Sequence, residues 1–293
     1  MRIGLFAPLI NPFHTPDYIV ALGRGAEARG FHSLWLGEHA VLFDSYDSLY
    51  PYAEDGRLPL PAESGMLEPF TTLSFLAAAT KHIRLGTGIC LVPQRNPVYT
   101  AKEVATLDYL SGGRVDFGVD VGWLKEEFEA LGVPFARRGA RTREYLEVIQ
   151  RLWHDPVAAF SGKFYQLPPC RQEPKPAQQP HPPIHIGGES DAALARVADL
   201  GQGWFGFNRS PAQAKADIAR LGSALEARGH TLGDIEITIS PYTHQVDVDA
   251  IARYRDAGVN QLVPMATCSG IDRLGPLLDR IADAICCFRL NQM

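Results

Sequence analysis

The chain has 293 residues, 46% of them hydrophobic, which fits one large α/β domain or two ordinary ones and is ample for a buried core. Lysine and arginine number 28 against 33 aspartate and glutamate, and the resulting formal charge of −5 argues against a nucleic-acid binder or a polybasic membrane surface. The first apolar run is broken by prolines and lacks a signal-peptide pattern, and no run approaches a membrane span. A small-molecule substrate is the expected partner.

The cysteines show neither CxxC spacing nor Cys/His metal spacing. They are Cys90, Cys170, Cys268, Cys286 and Cys287. An odd, scattered set predicts a reduced, cytoplasmic protein without a metal site. Cys90 follows a predicted strand, where a packed apolar thiol is favoured over a reactive one.

Short β-like runs alternate with helix-like runs along the chain, which is typical of parallel strands joined by crossover helices. Strands are predicted at residues 2–7, 33–37, 83–88, 115–119, 184–187, 203–206, 235–240 and 261–264. Eight such units favour a (β/α)₈ TIM barrel, formed by a single domain over residues 1–293, over an open doubly wound sheet. No G-x-G-x-x-G sequence opens a helix, so a nicotinamide-binding Rossmann domain is disfavoured.

Two segments interrupt the alternation and are predicted as insertions after the second and fourth barrel units. Residues 40–66 are rich in Tyr, Pro and Asp, and residues 155–183 are rich in Pro and Gln. Both are expected to be long loops, which in compact domains are usually functional lids or disordered. The first leaves the carboxyl end of a strand and should lie over the barrel mouth. Its aromatic residues either line a pocket or pack the loop onto the rim: Phe43, Tyr46, Tyr50 and Tyr52.

Glu38 and His39 follow the second predicted strand, at the end where barrel enzymes place catalytic groups. An imidazole there titrates near neutral pH and can give or take a proton. The adjacent carboxylate either orients a backbone amide or raises the basicity of the imidazole. We predict this pair as catalytic, against the alternative of a histidine that only satisfies a buried hydrogen bond.

Gly187 and Gly188 end the fifth predicted strand, and Ser190 or Asp191 is expected to cap the helix that follows. Backbone amides at a helix start favour a phosphate. Arg209, after the sixth strand, is either a further anion contact or a solvated surface charge. The ends of these two strands are therefore candidates for binding an anionic group.

Several segments together resemble the bacterial luciferase-like flavin and deazaflavin oxidoreductases, in particular the branch that uses coenzyme F-420. They run from residue 1 to about residue 207 and are MRIGLFAPL, SLWLGEH, IRLGTG with its downstream PxRxP, LSGGRVDFGV, GWxxxEFEALGVPF, HPPIHIGG and GWF. The resemblance implies a homodimeric TIM-barrel oxidoreductase that uses coenzyme F-420 (8-hydroxy-5-deazaflavin) for hydride transfer. The alternatives are an FMN-dependent monooxygenase that uses reduced flavin and oxygen, and a non-catalytic flavin-binding protein.

The resemblance also implies where the cofactor lies. His39 is expected to contact the flavin-type ring, and a bulge with a non-prolyl cis peptide at Gly88–Ile89 is expected beneath it; a plain glycine bulge is the alternative. The phosphate-bearing tail is expected across Gly187 and Gly188. The predicted cofactor contacts are Thr87, Gly88, Ile89, Asp120, Gly122, Gly187, Gly188 and Arg209.

Asp120 departs from the family pattern, since relatives commonly read GVGVGW where this chain reads GVDVGW. An acidic side chain there fills space, accepts a hydrogen bond from the ring edge, or reduces the affinity for an anionic cofactor. Gln202 is a second departure, at a position where the family more often has aspartate, and is expected to be a turn substitution.

Overall fold

The computed structural model describes residues 1–60 and 63–290. Its strands are β1 (Arg2–Ile3), β2 (Leu5–Phe6), β3 (Ile10–Asn11), β4 (Ser33–Leu36), β5 (Gly65–Met66), β6 (Arg84–Thr87), β7 (Val115–Val119), β8 (Ala158–Ser161), β9 (Gln166–Cys170), β10 (Ile184–Gly187), β11 (Gly203–Phe207), β12 (Glu236–Ser240) and β13 (Gln261–Leu262). Its α-helices are α1 (Pro16–Ala28), α2 (Pro69–Ala79), α3 (Pro97–Ser111), α4 (Lys125–Ala130), α5 (Arg138–His154), α6 (Asp191–Leu200), α7 (Pro211–Glu226), α8 (Val248–Asp256) and α9 (Leu274–Leu290).

The main sheet is parallel and closes into a barrel. Its strand order is β1-β13-β12-β11-β10-β7-β6-β4-β2. Strands β1 and β2 are two parts of one barrel strand interrupted at Gly4, because β1 pairs with β13 while β2 pairs with β4. A further bridge joins Phe6 to Met265. The predicted (β/α)₈ TIM barrel is confirmed, and each barrel strand lies within two residues of its predicted bounds.

The helices begin and end at residues whose chemistry favours a boundary. Asn96 caps α3 through its side chain and is followed by proline, and Gly112 ends the helix in the left-handed region at φ 72°. Of the two candidate caps for α6, Ser190 has that role and accepts a hydrogen bond from the Ala193 amide. Gln202 closes the turn before β11, since its side-chain oxygen accepts from the Ile184 amide.

The barrel interior is filled with side chains, so ligands are confined to its end. Phe6, Trp35, Phe205 and Val263 form a buried cluster separate from the core between sheet and helices. The Trp35 ring lies directly on Gly86, where a Cβ atom would come within 2.4 Å of it, so only glycine fits there. Toward the amino ends of the strands the filling is polar, through hydrogen bonds that link Trp35, Ser33, Gln261 and Thr238.

The two predicted insertions differ in structure. In the first, residues 50–60 lie over the barrel mouth, and Gly65–Met66 form β5, which pairs antiparallel with β3. Residues 155–183 are not one long loop, because β8 and β9 form an antiparallel hairpin within them. The two prolines in β9 argued against a strand in the sequence, because proline is tolerated in a sheet only at positions that donate no ladder hydrogen bond. This segment leads into the amino end of β10, away from the mouth.

Cys90 is fully buried in the core, and burial raises the pKa of its thiol, which supports the packed interpretation. Cys90, Cys170 and Cys268 are free thiols. The side chains of Cys286 and Cys287 lie outside the described part of the structure. Over residues 1–60 and 63–290, none of the helices has the length and apolar character needed to span a membrane.

Candidate active site

A cavity of about 480 Å³ opens at the carboxyl ends of the barrel strands, within the size range of small-molecule sites. The ends of β2, β4, β6, β7, β10, β11 and β12 contribute to its walls, together with the loop over residues 50–60. Most of the predicted site residues line it: Glu38, His39, Gly88, Ile89, Asp120, Gly122 and Gly188. The structure does not bring Thr87, Gly187 or Arg209 to the cavity wall.

His39 lies at the cavity wall and is held from behind. Its Nδ1 is 3.1 Å from Oε2 of Glu127, and its ring contacts Trp123 edge to face, with ring centroids 5.8 Å apart. Nε2 has no hydrogen-bond partner among residues 1–60 and 63–290. This nitrogen is therefore available to a ligand.

Glu127, on α4, is the carboxylate that positions the imidazole. Its side chain is fully buried and also accepts hydrogen bonds from the Gln94 side chain at 3.0 Å and the Ala40 amide at 2.6 Å. Burial alone would raise the pKa of Glu127, but the hydrogen bond and charge of His39, with the other donors, bring it below its usual value. Sequence reasoning missed Glu127 as a site residue, although it is the glutamate that precedes phenylalanine in the family segment GWxxxEF. That segment was the available signal, since the other acids of the KEEFEA helix do not contact His39.

Glu38 does not contact His39, so its predicted role in raising the basicity of the imidazole is wrong. Its Oε2 accepts from the Leu91 amide at 2.6 Å, and its Oε1 accepts from Nε of Arg95 at 2.7 Å. The alternative role, orienting a backbone amide, is the one that the geometry shows. Glu38 thereby fixes the loop that follows β6.

The end of β6 carries the predicted non-prolyl cis peptide at Gly88–Ile89. A Cβ atom on Gly88 would lie 3.1 Å from Cβ of Trp35 and 3.3 Å from Cζ of Phe205, so the backbone here packs directly on the barrel filling. Thr87 is turned away from the cavity, because its hydroxyl donates to the Gly118 carbonyl at 2.7 Å. Thr87 therefore precedes the bulge on β6 and links it to the neighbouring strand β7. It is not placed to contact a ligand.

Asp120 lines the cavity at the end of β7, and its Oδ1 accepts from the Val121 amide at 2.6 Å. Its carboxylate lies over the end of β10, where a Cβ atom on Gly188 would be 3.7 Å from both oxygens. Burial raises the pKa of Asp120, against opposing effects of the Val121 amide and the charges of Arg196 and Arg138. Neither arginine comes within 4.0 Å to form an ion pair with it among the described residues.

The predicted anion contacts are only partly assembled. Gly188 lines the cavity with φ at +92°, a conformation that favours glycine, but Gly187 is covered by Ile89 and Asp120. Arg209 is turned away from the cavity, since its Nε donates to the Phe207 carbonyl and its Nη1 lies 3.9 Å from Oδ2 of Asp217. A phosphate at Gly188 would lie beside the Asp120 carboxylate.

The insertion after β4 supplies aromatic side chains to the cavity. Tyr50 and Tyr52 line it, which fits the pocket interpretation. Tyr46 instead packs against Trp123, and its hydroxyl oxygen accepts a hydrogen bond from the Leu58 amide at 2.8 Å. Glu126 on α4 holds this loop, because its carboxylate accepts from the amides of Asp47 and Ser48. The loop is therefore fixed to the same short helix that carries Glu127.

The residues present fit a flavin-type ring better than a phosphate tail. Gly88 packs on the barrel filling and contributes backbone to the cavity wall, as do Gly37 and Gly122. The Asp120 carboxylate disfavours an anion at Gly188 because like charges repel where water is excluded. Within the described ranges, no cluster of three or more His, Cys, Asp or Glu is arranged to hold a metal ion.

A TIM barrel with a carboxylate-backed imidazole in a cavity at the carboxyl ends of its strands has the arrangement of a barrel enzyme. The luciferase-like monooxygenase family profile matches residues 1–262. An uncharacterized protein of Mycobacterium tuberculosis (strain ATCC 25618 / H37Rv) is 32% identical over 252 residues, covering 84% of each chain. The FMNH₂-dependent dimethylsulfone monooxygenase of Pseudomonas putida is 31% identical over 189 residues, which are 64% of this chain and 51% of that protein.

Among solved structures, an F-420-dependent secondary alcohol dehydrogenase in complex with an F-420–acetone adduct has a TM-score of 0.79 at 18% identity, covering 98% of both chains. At that identity the likeness concerns the fold. The chain belongs to the luciferase-like monooxygenase family. It is therefore an enzyme of the oxidoreductase and monooxygenase type that this family comprises.

Proposed function

We propose that this enzyme transfers hydride between coenzyme F-420 and a small organic substrate in the barrel-mouth cavity. The observation that carries the proposal is the pair formed by His39 and Glu127, which leaves Nε2 of the imidazole at the cavity wall without a partner among the described residues. Oxidation of a carbon that bears a hydroxyl or amine group releases a hydride and a proton. When bound, the deazaflavin supplies the hydride acceptor or donor.

The chain's own residues handle the proton and the geometry. His39 accepts the substrate proton at Nε2 in the oxidative direction and returns it in the reductive direction. Glu127 holds the proton on Nδ1 in place and stabilises the imidazolium that results. Gly88 and Ile89 would support the ring, and Glu38 with Arg95 fixes the loop behind them. Trp123 and Tyr50, whose ring centroids are 5.2 Å apart, add apolar surface to the same cavity wall.

An FMN-dependent monooxygenase is the second candidate, favoured by the identity shared with the Pseudomonas putida enzyme. In that case His39 would act in a reaction that consumes oxygen. Turnover measured with and without oxygen, and followed with an oxygen electrode, separates the two candidates. Hydride transfer to F-420 proceeds without oxygen, whereas monooxygenation stops when oxygen is removed. The proposed homodimer and cytoplasmic location are tested by light scattering and by cell fractionation, respectively.

We expect the purified protein to bind coenzyme F-420 at least about tenfold more tightly than FMN, a difference of about 1.4 kcal/mol. A terminal phosphate monoester, as in FMN, would place up to two negative charges near Asp120 at Gly188, whereas the phosphodiester of F-420 carries only one there. Titration of each oxidised and reduced cofactor, followed by absorbance and fluorescence quenching, measures both affinities. Equal affinity, or tighter binding of FMN, contradicts the choice of F-420.

A further inference from the structure

A row of aromatic side chains lines one side of the cavity. Tyr50 contacts Tyr52 with centroids 5.5 Å apart, Tyr52 contacts Phe207 at 4.9 Å, and Phe207 contacts Tyr242 at 4.7 Å. Trp123 extends the row, 5.2 Å from Tyr50. We call these five residues the aromatic wall. Adjacent rings meet at steep angles of 61° to 77° except at the Phe207–Tyr242 contact, so the wall curves around a space.

The aromatic wall is separate from the predicted bed of the cofactor ring. Phe207 ends β11 and Tyr242 follows β12, whereas Gly88 follows β6. Strands β7 and β10 lie between β6 and β11 in the sheet, so the Phe207–Tyr242 end of the wall is separated from Gly88, whereas Trp123, which follows β7, lies at the end nearest to it. A substrate can therefore contact the wall while the ring lies on Gly88 and Ile89.

Of the lysine, arginine and carboxylate side chains in the described residues, only carboxylates are present along the cavity wall. Among the described residues that line the cavity there is no lysine or arginine, and the two carboxylates are Glu38 and Asp120. Glu38 is paired with Arg95, but Asp120 has no cation within 4.0 Å in the described structure. Arg196 and Arg138 act on Asp120 only from beyond ion-pair distance, so no side chain of the described structure forms a direct ion pair with this carboxylate.

A second negative group reinforces Asp120 from behind the wall. Glu189 accepts from the Tyr52 hydroxyl at 3.2 Å and from the Phe207 amide at 3.0 Å. Burial raises the pKa of Tyr52 well above its usual value, and the charges of Glu189 and Asp120 raise it further, as expected for groups that lie close together. Two carboxyl groups, Asp120 and Glu189, therefore lie close to the Tyr52 end of the aromatic wall.

We infer that the substrate of this enzyme carries a cationic nitrogen, which lies against the aromatic wall and is neutralised by Asp120. Aromatic faces attract ammonium groups through their ring quadrupole, and the attraction grows when water is excluded. The same loop already shows such a contact, because the Arg57 guanidinium lies 4.7 Å from the centroid of Tyr46. A protonated amine and a quaternary ammonium group share this chemistry.

The inference rests on the proposed function only in taking this cavity as the substrate site, and its test needs no turnover. Calorimetric titration of the purified protein compares choline, a quaternary cation, with its neutral isostere 3,3-dimethylbutan-1-ol and with protonated 2-(dimethylamino)ethanol. We expect both cations to bind at least about tenfold more tightly than the neutral alcohol. Tighter binding of choline than of the amine would assign a quaternary group, and the reverse order a protonated amine.

Single substitutions test which carboxylate attracts the cation. Asp120→Asn keeps an oxygen for the Val121 amide and should weaken choline binding at least about fivefold, with the affinity for the neutral alcohol unchanged and that for F-420 unchanged or improved. Glu189→Gln should act in the same direction and serves if the first variant misfolds. The control is Asp191→Asn, an equal charge change at a side chain that is 94% exposed, which should leave the affinity unchanged.

Three results would overturn the inference. These are equal binding of choline and the alcohol, a loss of affinity in Asp191→Asn as large as that in Asp120→Asn, and exclusion of choline by saturating F-420. The last would assign the aromatic wall to the cofactor. Failure of the proposed function is a different result, in which choline binds as expected but neither F-420 nor FMN binds.

Discussion

Replacing His39 with glutamine is expected to lower turnover by about a hundredfold or more, as for the loss of a proton-transfer group. Glutamine retains an N–H donor that reaches Glu127, so the buried carboxylate stays paired and the melting temperature should change little. It offers no group that takes a proton near neutral pH. Steady-state kinetics with F-420 and thermal unfolding measure the two quantities.

The matched control is His230→Gln, at an exposed histidine remote from the cavity, which should leave both turnover and stability unchanged. The affinity of His39→Gln for F-420 should remain close to that of the wild type, since the ring bed is formed by backbone. Full activity in His39→Gln would remove this residue from the mechanism.

Replacing Glu127 with glutamine is expected to impair both turnover and folding. The carboxylate accepts hydrogen bonds at both oxygens, from His39 and Gln94 at one and from Ala40 at the other. The amide of glutamine has only one oxygen to accept these hydrogen bonds. Its NH₂ group must therefore either face one of the donors or donate to Nδ1 of His39, which moves the imidazole proton onto Nε2. We expect turnover to fall by about a hundredfold and the free energy of unfolding by about 1–3 kcal/mol, the cost of unpaired buried donors.

The stability effect of Glu127 should depend on pH in a defined direction. Because its pKa is lower in the folded than in the unfolded protein, its charged form stabilises the fold above the unfolded value of about 4.3. This stabilisation is lost as the pH falls through the folded pKa. Urea unfolding should therefore show the largest difference between wild type and variant near neutral pH.

Glu129→Gln, on the same helix, provides the control for Glu127. Its side chain is 60% exposed and pairs with Lys125, and such surface pairs contribute at most about 1 kcal/mol. If Glu129→Gln were as damaging as Glu127→Gln, or if the latter had wild-type turnover, the positioning role of Glu127 would be disproved.

The barrel was predictable because strand and helix periodicities alternate along the chain. The bounds of β7 and β10 match the prediction, since each is a short apolar run between clear turn residues. The hairpin of β8 and β9 was not predictable in this way. Its prolines and polar residues are typical of a loop, and only tertiary pairing identifies it as a strand pair.

The site was predictable where it depends on strand ends and not where it depends on side-chain direction. Position after β4 was enough to bring His39 to the cavity, and the resemblance located the cis peptide at Gly88–Ile89. The choice of Glu38 as the partner of His39 failed because adjacent side chains point apart, and the carboxylate from α4 approaches instead. Such long-range contacts have no local signal in one sequence.

The central claim is that a flavin-type ring binds on Gly88 and Ile89 beside the free nitrogen of His39. A crystal structure of the complex with coenzyme F-420 tests it most directly. We expect the deazaflavin ring to lie against the Gly88–Ile89 backbone, with Nε2 of His39 on the side open to substrate and the tail leaving the cavity away from Asp120. A ring bound elsewhere, or stacked against the wall formed by Tyr52 and Phe207, would contradict the account.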